Sequence, residues 1–212
     1  MRKIITICRE FGSGGREIGK RLAEILQIPY YDDEIVTELA KRTQLAVSYV
    51  EQFSEKSPEP RKYFPITISR SFYAAGSYHK HMSNELFKNM NIHNEQIKLL
   101  KELAEKSDCV IVGRASNHVL RDFDPLRVFI YAEMESKIKR CREKAPDHEN
   151  MSDKELEKQI SEVDKTRAAY YKSVSGRTWG EKTDYDIMIN TTYYPIKLVA
   201  QIIAQPLLFG DD

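Results

Sequence analysis

The chain has 212 residues, 41% of them hydrophobic, and 33 basic against 32 acidic side chains leave a formal net charge of +1. That length suits one domain, or a core with insertions, that buries its interior without covalent staples, and so balanced a charge excludes the footprint of a general nucleic-acid binder. Three scattered cysteines, Cys8, Cys109 and Cys141, without CxxC spacing exclude a disulfide framework or zinc knuckle and fit a reducing cytoplasm.

In chain order, Ile4 to Cys8 reads as a buried strand. The apolar run after Arg2 and Lys3 stops at Arg9, too short for a signal peptide, and no later stretch is long enough to span a bilayer. A soluble, cytoplasmic protein without membrane partners is expected. A glycine-rich turn follows the strand, and a helix after it carries Ile18, Leu22, Ile25 and Leu26 at i, i+4, i+7 and i+8. Pro29 ends that helix, Tyr30 and Tyr31 form a short extended piece, and Ile35, Val36, Leu39 and Ala40 mark one face of a second helix.

From Ser54 to about Asn94 periodicity fades, Pro58, Pro60 and Pro65 interrupt it, and the segment reads as an irregular, mobile insertion. Its aromatic residues Tyr63, Phe64, Phe72, Tyr73 and Tyr78 read as packing groups that could instead stack on a base. Its His79 and His81 lack the acidic or thiol neighbours of a metal site. The next helix holds Ile97, Leu100, Leu103 and Ala104, and CVIVG from Cys109 to Gly113 is a continuous apolar strand of parallel-sheet type. Another strand is expected over Val128 to Tyr131. Two charged helices joined through Pro146 to Met151 come next, the second opened by the capping box Ser152 and Glu155. Asp186 to Asn190 reads as a last strand, and Ile196, Val199, Ile202 and Ile203 as a closing helix. Alternating strands and helices argue for an α/β fold with a parallel sheet, whose ligands lie beyond the carboxyl ends of the strands.

The glycine turn sits at such an end. Gly12, Gly14 and Gly15 let the backbone approach a phosphate, and the N–H groups and dipole of the helix beginning near Arg16 favour negative charge. The match to G-x-x-x-x-G-K-[ST] is imperfect. With Gly14 as the last loop glycine, Gly15 and Arg16 take the Lys and Ser/Thr positions; with Gly15, Arg16 and Glu17 do, and the first glycine falls on Arg9 or Glu10. Arg16 can supply the missing cation but not the hydroxyl. Residues Gly12, Ser13, Gly14, Gly15, Arg16 and Glu17 are the candidate nucleotide site.

REFGSGGREIGKRLAE near the start, IPYYDDEIV at 28–36, VIVGRASNHVLRD at 110–122, DKTRAAYY at 164–171 and YDIMINTT at 185–192 occur in a telling order. Together they resemble the cytidylate kinase-like family of P-loop phosphotransferases, related to the nucleoside monophosphate kinases. The resemblance implies a three-layer P-loop kinase fold with a core of about 1–31, 95–135 and 184–212, a helical substrate-binding insertion of about 32–94, and a helical lid of about 136–183. It also implies ATP and Mg2+ as cofactors and CMP or dCMP as acceptor. Homo-oligomerisation is compatible with it.

Phosphoryl transfer spreads charge over the moving group, so arginines are the natural tool. Catalytic roles fall on Arg16, Arg140 and Arg167, the last two closing over the phosphates as the resemblance implies. Arg140 could equally lie on a solvated helix face, and Asp164 with Arg167 could be a surface i, i+3 pair. Substrate binding falls on Asp32, Asp33, Arg114 and Asp164, against the alternatives of an N-cap for Asp32 or Asp33 and a backbone-bound structural role for Arg114. Trp179 is expected to anchor the loop after the lid, with Arg177 beside it in reach of a phosphate. The chain departs from cytidylate kinases at Asp33 and Glu38, where they carry Ser/Thr and Arg, and at Val112 and Ala115, where they carry Asp. Magnesium ligands are therefore open, with Glu17, Asp32 or Asp33 beside a phosphate-held ion. The same departures motivate an alternative, a non-catalytic nucleotide-binding regulatory protein with a degenerate phosphate loop.

Overall fold

The structure, a computed structural model, describes residues 3–53, 76–144 and 151–209, with backbone alone at 52–53, 76–87 and 209. Strands β1 (Ile4–Arg9), β2 (Tyr30–Tyr31), β3 (Cys109–Val112), β4 (Leu126–Tyr131) and β5 (Ile187–Asn190) form one sheet in the order β2-β3-β1-β4-β5. Every pairing is parallel. The expected α/β class is therefore what the chain adopts. Continuous apolar sequence in β1 and β3 follows from this position, since central strands are covered on both faces.

The faces separate cleanly. Helices α1 (Gly15–Leu26) and α8 (Ile196–Phe209) cover one, where Ile5, Ile7, Ile18, Leu22, Val112, Val128, Val199 and Ile203 share a cluster. On the other, α2 (Asp33–Thr43), α3 (Val47–Phe53) and α4 (Gly76–Lys106) enclose Ile4, Ile35, Leu39, Leu99, Leu100, Cys109 and Ile111. Each fully buried leucine or isoleucine contributes about 2 kcal/mol. The remaining helices are α5 (Ser116–Val119), α6 (Met134–Lys144) and α7 (Asp153–Ser175), the last opened by the Ser152–Glu155 capping box.

Three expectations are corrected. Residues 76–94, read as part of an irregular insertion, belong to the 31-residue helix α4. No proline interrupts it, and Ile92, Gln96, Leu99 and Leu100 form a buried stripe that polar neighbours obscure in the sequence. Residues 54–75, with Tyr63, Phe64, Phe72 and Tyr73, lie outside the described residues, as do the side chains of Tyr78, His79 and His81. Strand β4 starts at Leu126, earlier than expected, because Arg127 keeps ladder register while its side chain reaches Asp186. Ile25, counted with the buried face of α1, is exposed.

Strand β1 has β3 on one side and β4 on the other, so the chain leaves it first toward β2 and later toward β4. A crevice opens at the carboxyl end of such a switch strand. The glycine loop occupies that end.

Candidate functional site

Helix α1 begins at Gly15, directly after Gly14 in the left-handed region at φ 86°. Ile18 N–H is the first to bond back, to the Gly14 carbonyl at 3.0 Å, so the amides of Gly15, Arg16 and Glu17 precede the helical ladder. Gly15 itself is helical; what demands glycine there is space, because a Cβ would collide with Arg9 Cβ. The helix start makes Gly14 the last loop glycine, and Arg9 then stands at the first-glycine position.

A cleft of about 650 Å³ lies in front of these amides. Its cations are Arg9, Arg16, Lys20, Arg140, Lys144 and Arg167, facing Glu10, Glu17, Asp32, Asp33 and Glu34. That volume suits a nucleotide-sized ligand. The structure brings Gly12, Gly14, Gly15, Arg16, Glu17, Asp32, Asp33, Arg140 and Arg167 to this one cleft. Ser13 lies behind it, fully buried, with Oγ donating to the Glu10 carbonyl at 2.8 Å.

The two carboxylates after β2 are not free acids. Asp32 is buried, receives Arg16 Nε at 2.6 Å and the Tyr30 hydroxyl at 3.2 Å, and lies 3.9 Å from Arg9 Nη2. Asp33 meets Arg16 Nη2 at 3.0 Å. Burial beside Asp32 pushes the Tyr30 phenol well above its ordinary pKa. Asp32 precedes α2, yet its side chain makes no capping bond; the carboxylate is turned to the arginines instead. Among the described residues no cluster of three or more His, Cys, Asp or Glu side chains could hold a metal. With Asp32 and Asp33 bound to Arg16, and Glu17 to Lys144 and Arg21, the donor set does not form a magnesium cage. A magnesium ion would be held by the nucleotide's own phosphates and water. The Lys144 hydrogen bond also holds the Glu17 carboxyl below the usual carboxylate range.

The arginines of α6 and α7 dock on the loop. Arg140 Nη1 reaches the carbonyls of Gly12 at 3.4 Å and Ser13 at 3.5 Å and the Thr191 hydroxyl at 3.1 Å, and its Nη2 bonds the Thr191 carbonyl. It is half-buried, not on a solvated face. Arg167 Nη1 donates to the Arg9 carbonyl at 3.2 Å, and Asp164, 3.8 Å from Arg167, accepts the Phe11 N–H at 2.7 Å. The Asp164–Arg167 pair is thus half-buried against the loop rather than superficial.

Arg114 takes a different place from the one expected. Gly113, Arg114 and Ala115 all have positive φ, which turns the chain straight into α5, with the guanidinium buried at the backbone just past β2. Its Nη2 donates to the Asp32 carbonyl at 2.9 Å, while Nε and Nη1 are buried without a partner among the described residues. It borders a cavity of about 20 Å³ with Cys8, Arg9 and Trp179, room for a water and not a phosphate. Trp179 packs edge-on to Phe129 at 5.3 Å, as an anchor. Arg177 is not at the cleft; it is paired with Asp184.

Sequence reasoning missed Arg9, Glu10, Lys137 and Thr191. Lys137 is buried against the loop, 2.6 Å from Glu10 and 3.4 Å from Asp164, with its Cβ pressed on Gly12. Thr191 Oγ1 donates to the Ser13 carbonyl at 2.7 Å. The YDIMINTT segment carried a signal for Thr191, but the partner lies 178 residues away.

The sequence profile of the cytidylate kinase-like family matches residues 4–193. The chain belongs to that family. No curated protein sequence matches it. Among solved structures, an uncharacterized protein from Eubacterium ventriosum is 25% identical, with TM-score 0.69 over 98% of this chain and 99% of that one. Two shikimate kinases share the fold at 16% identity. The enzyme from Acinetobacter baumannii, in complex with shikimate, gives TM-score 0.54 over 100% and 96% of the two chains. That from Bacteroides thetaiotaomicron gives 0.55 over 98% and 99%. The fold is therefore that of the P-loop kinases, and membership of this family supports a nucleotide or small-molecule kinase. No helix among the described residues is long and apolar enough to cross a membrane.

Proposed function

We propose that the chain is an ATP-dependent phosphotransferase that moves the γ-phosphate of ATP in line to a nucleoside monophosphate, CMP or dCMP by family resemblance, or to a related small acceptor. The observation that carries this reading is the cleft of about 650 Å³ at the N-terminus of α1, where helix amides and six cations converge. In such a site catalysis is positioning plus charge stabilisation. Residues 12–17 hold the ATP tail through the amides of Gly15, Arg16 and Glu17. Arg16, Arg140 and Arg167 spread over the moving phosphoryl group. The acceptor lies between Asp32, Asp33 and the insertion of 32–94, with Arg114 bracing the Asp32 backbone beside it. Asp164 holds Arg167 and the loop, and the lid of 136–183 excludes water. Magnesium supplies charge neutralisation on the phosphates.

Lysine's replacement by Gly15 favours a second reading, a regulatory protein that binds a nucleotide without transferring phosphate. ATP consumption across nucleoside monophosphates and small alcohols, with and without magnesium, separates the two. Turnover accelerated by one acceptor, and reduced about a hundredfold by Arg16→Ala or Arg167→Ala, supports the kinase. ATP that raises the melting temperature while no acceptor accelerates turnover supports the regulator. Activity unchanged in both variants removes the assigned catalytic roles.

A further inference from the structure

The phosphate-loop formula asks for a lysine where this chain has Gly15 and a glycine where it has Arg9. These two departures are one. A Cβ at Gly15 would collide with Arg9 Cβ and lie 3.0 Å from Arg9 Cγ, so the positions compete for a single channel between the end of β1 and the start of α1. Only one of them can send a side chain through it. We propose that Arg9 is the cation that takes the place of the formula's lysine on the phosphates, joining Arg16, Arg140 and Arg167 there, the lysine having been exchanged across the loop from its seventh position to its first.

Three further observations carry this assignment, which rests on the ATP-binding reading above. Arg9 is 7% exposed and lines the cleft, and its Nη2 lies 3.9 Å from Asp32 Oδ1, which places the guanidinium on the cleft side of the loop. Arg16, the other candidate beside the loop, has a side chain 61% exposed and bound to both Asp32 and Asp33. Finally, the Arg9 backbone is fixed: its residue is paired with Ile130 across β1 and β4, and its carbonyl receives Arg167. A cation carried on a strand end is held more rigidly than one on a loop, so less ordering is needed when the phosphate arrives. The guanidinium fork also offers two parallel bonds to a phosphate, which an ammonium does not.

The test exchanges the positions back. Binding of ATP, inorganic tripolyphosphate and adenosine is measured by calorimetry, and stability by thermal unfolding, for the full chain, Arg9→Gly, Gly15→Lys and the double variant Arg9→Gly/Gly15→Lys. Expected is a loss of about tenfold to a hundredfold in ATP and tripolyphosphate affinity for Arg9→Gly with adenosine unchanged. The double variant, with lysine emerging from the vacated channel, regains most of that loss, and Gly15→Lys alone, with the channel still filled, is destabilised. A folded Arg9→Gly that binds tripolyphosphate as the unaltered chain does overturns the proposal. So does an equal loss for adenosine, or a folded double variant without recovery should Arg9→Gly fail to fold. An unaltered chain that binds neither ATP nor tripolyphosphate overturns instead the functional reading on which it stands.

Discussion

Asp164, in the middle of α7, accepts the backbone N–H of Phe11 in the glycine loop at 2.7 Å. Helix α7 thereby fixes one loop amide, and the same carboxylate faces the buried ammonium of Lys137 at 3.4 Å. Asp164→Ala leaves that amide without its acceptor and the ammonium with Glu10 alone. A loss of about 2–4 kcal/mol is expected in urea unfolding, and clearly less for Asp164→Asn, which keeps an acceptor for Phe11.

Thr191 ties the far side of the loop. Its hydroxyl donates to the Ser13 carbonyl at 2.7 Å and accepts from Arg140 Nη1 at 3.1 Å. Thr191→Val keeps the shape and removes both bonds, so a cost of about 1–3 kcal/mol is expected, with ATP affinity falling alongside stability. Unfolding curves and ATP titration on the same sample check both.

Gly14 is required twice over. Its φ of 86° costs another residue about 1–2 kcal/mol, and a Cβ there would collide with Ile196 Cδ1. Gly14→Ala should therefore lower the melting temperature, and adding Ile196→Ala should fail to restore it, since that change relieves the collision but not the backbone. Full recovery in the double variant would show that space alone selects glycine.

The three cysteines are buried and none is in a disulfide, and burial pushes the Cys109 thiol up to about 11. Thiolates are the reactive form, so labelling of Cys109 at pH 8 should be slower than that of a free thiol by about a hundredfold or more. Mass spectrometry after iodoacetamide treatment measures it. Rapid labelling of folded protein would contradict the burial.

Asp186 joins β5 to β4. Its hydrogen bond with the Arg127 guanidinium holds the carboxyl below its ordinary 3.8, and it also accepts the Arg127 N–H at 2.8 Å. A depressed folded-state pKa means the unfolded chain binds the proton first. The contribution to stability is present above pH 3.8 and is lost as pH falls through the lower, folded value. Thermal unfolding of the unaltered chain and Asp186→Asn should differ at pH 7 and converge in strong acid.

Much of the architecture was legible in local pattern. Continuous apolar runs at Ile4 and Cys109 predict covered parallel strands, the glycines before Arg16 predict a turn opening into a helix, and Ser152 with Glu155 predicts a capped helix; all three hold. The first half of α4 was not legible, because its buried stripe is sparse and its neighbours are polar. Nor was the state of Asp32 and Asp33, read as substrate-binding or capping residues, whose partners Arg16 and Arg9 reach them only in the folded chain.

Periodicity and turn chemistry act between residues a few positions apart, so strand, helix and phosphate-loop identity were written into short stretches of this chain. Side-chain direction depends on what packs alongside. The Asp164–Phe11 bond spans 153 positions, and Arg114 is bonded to the Asp32 carbonyl, 82 positions away, instead of lining the cleft. Which arginine lines the cleft, which braces the loop and which is buried away from both follow from competition for space among distant segments, and that competition exists only once the sheet has assembled.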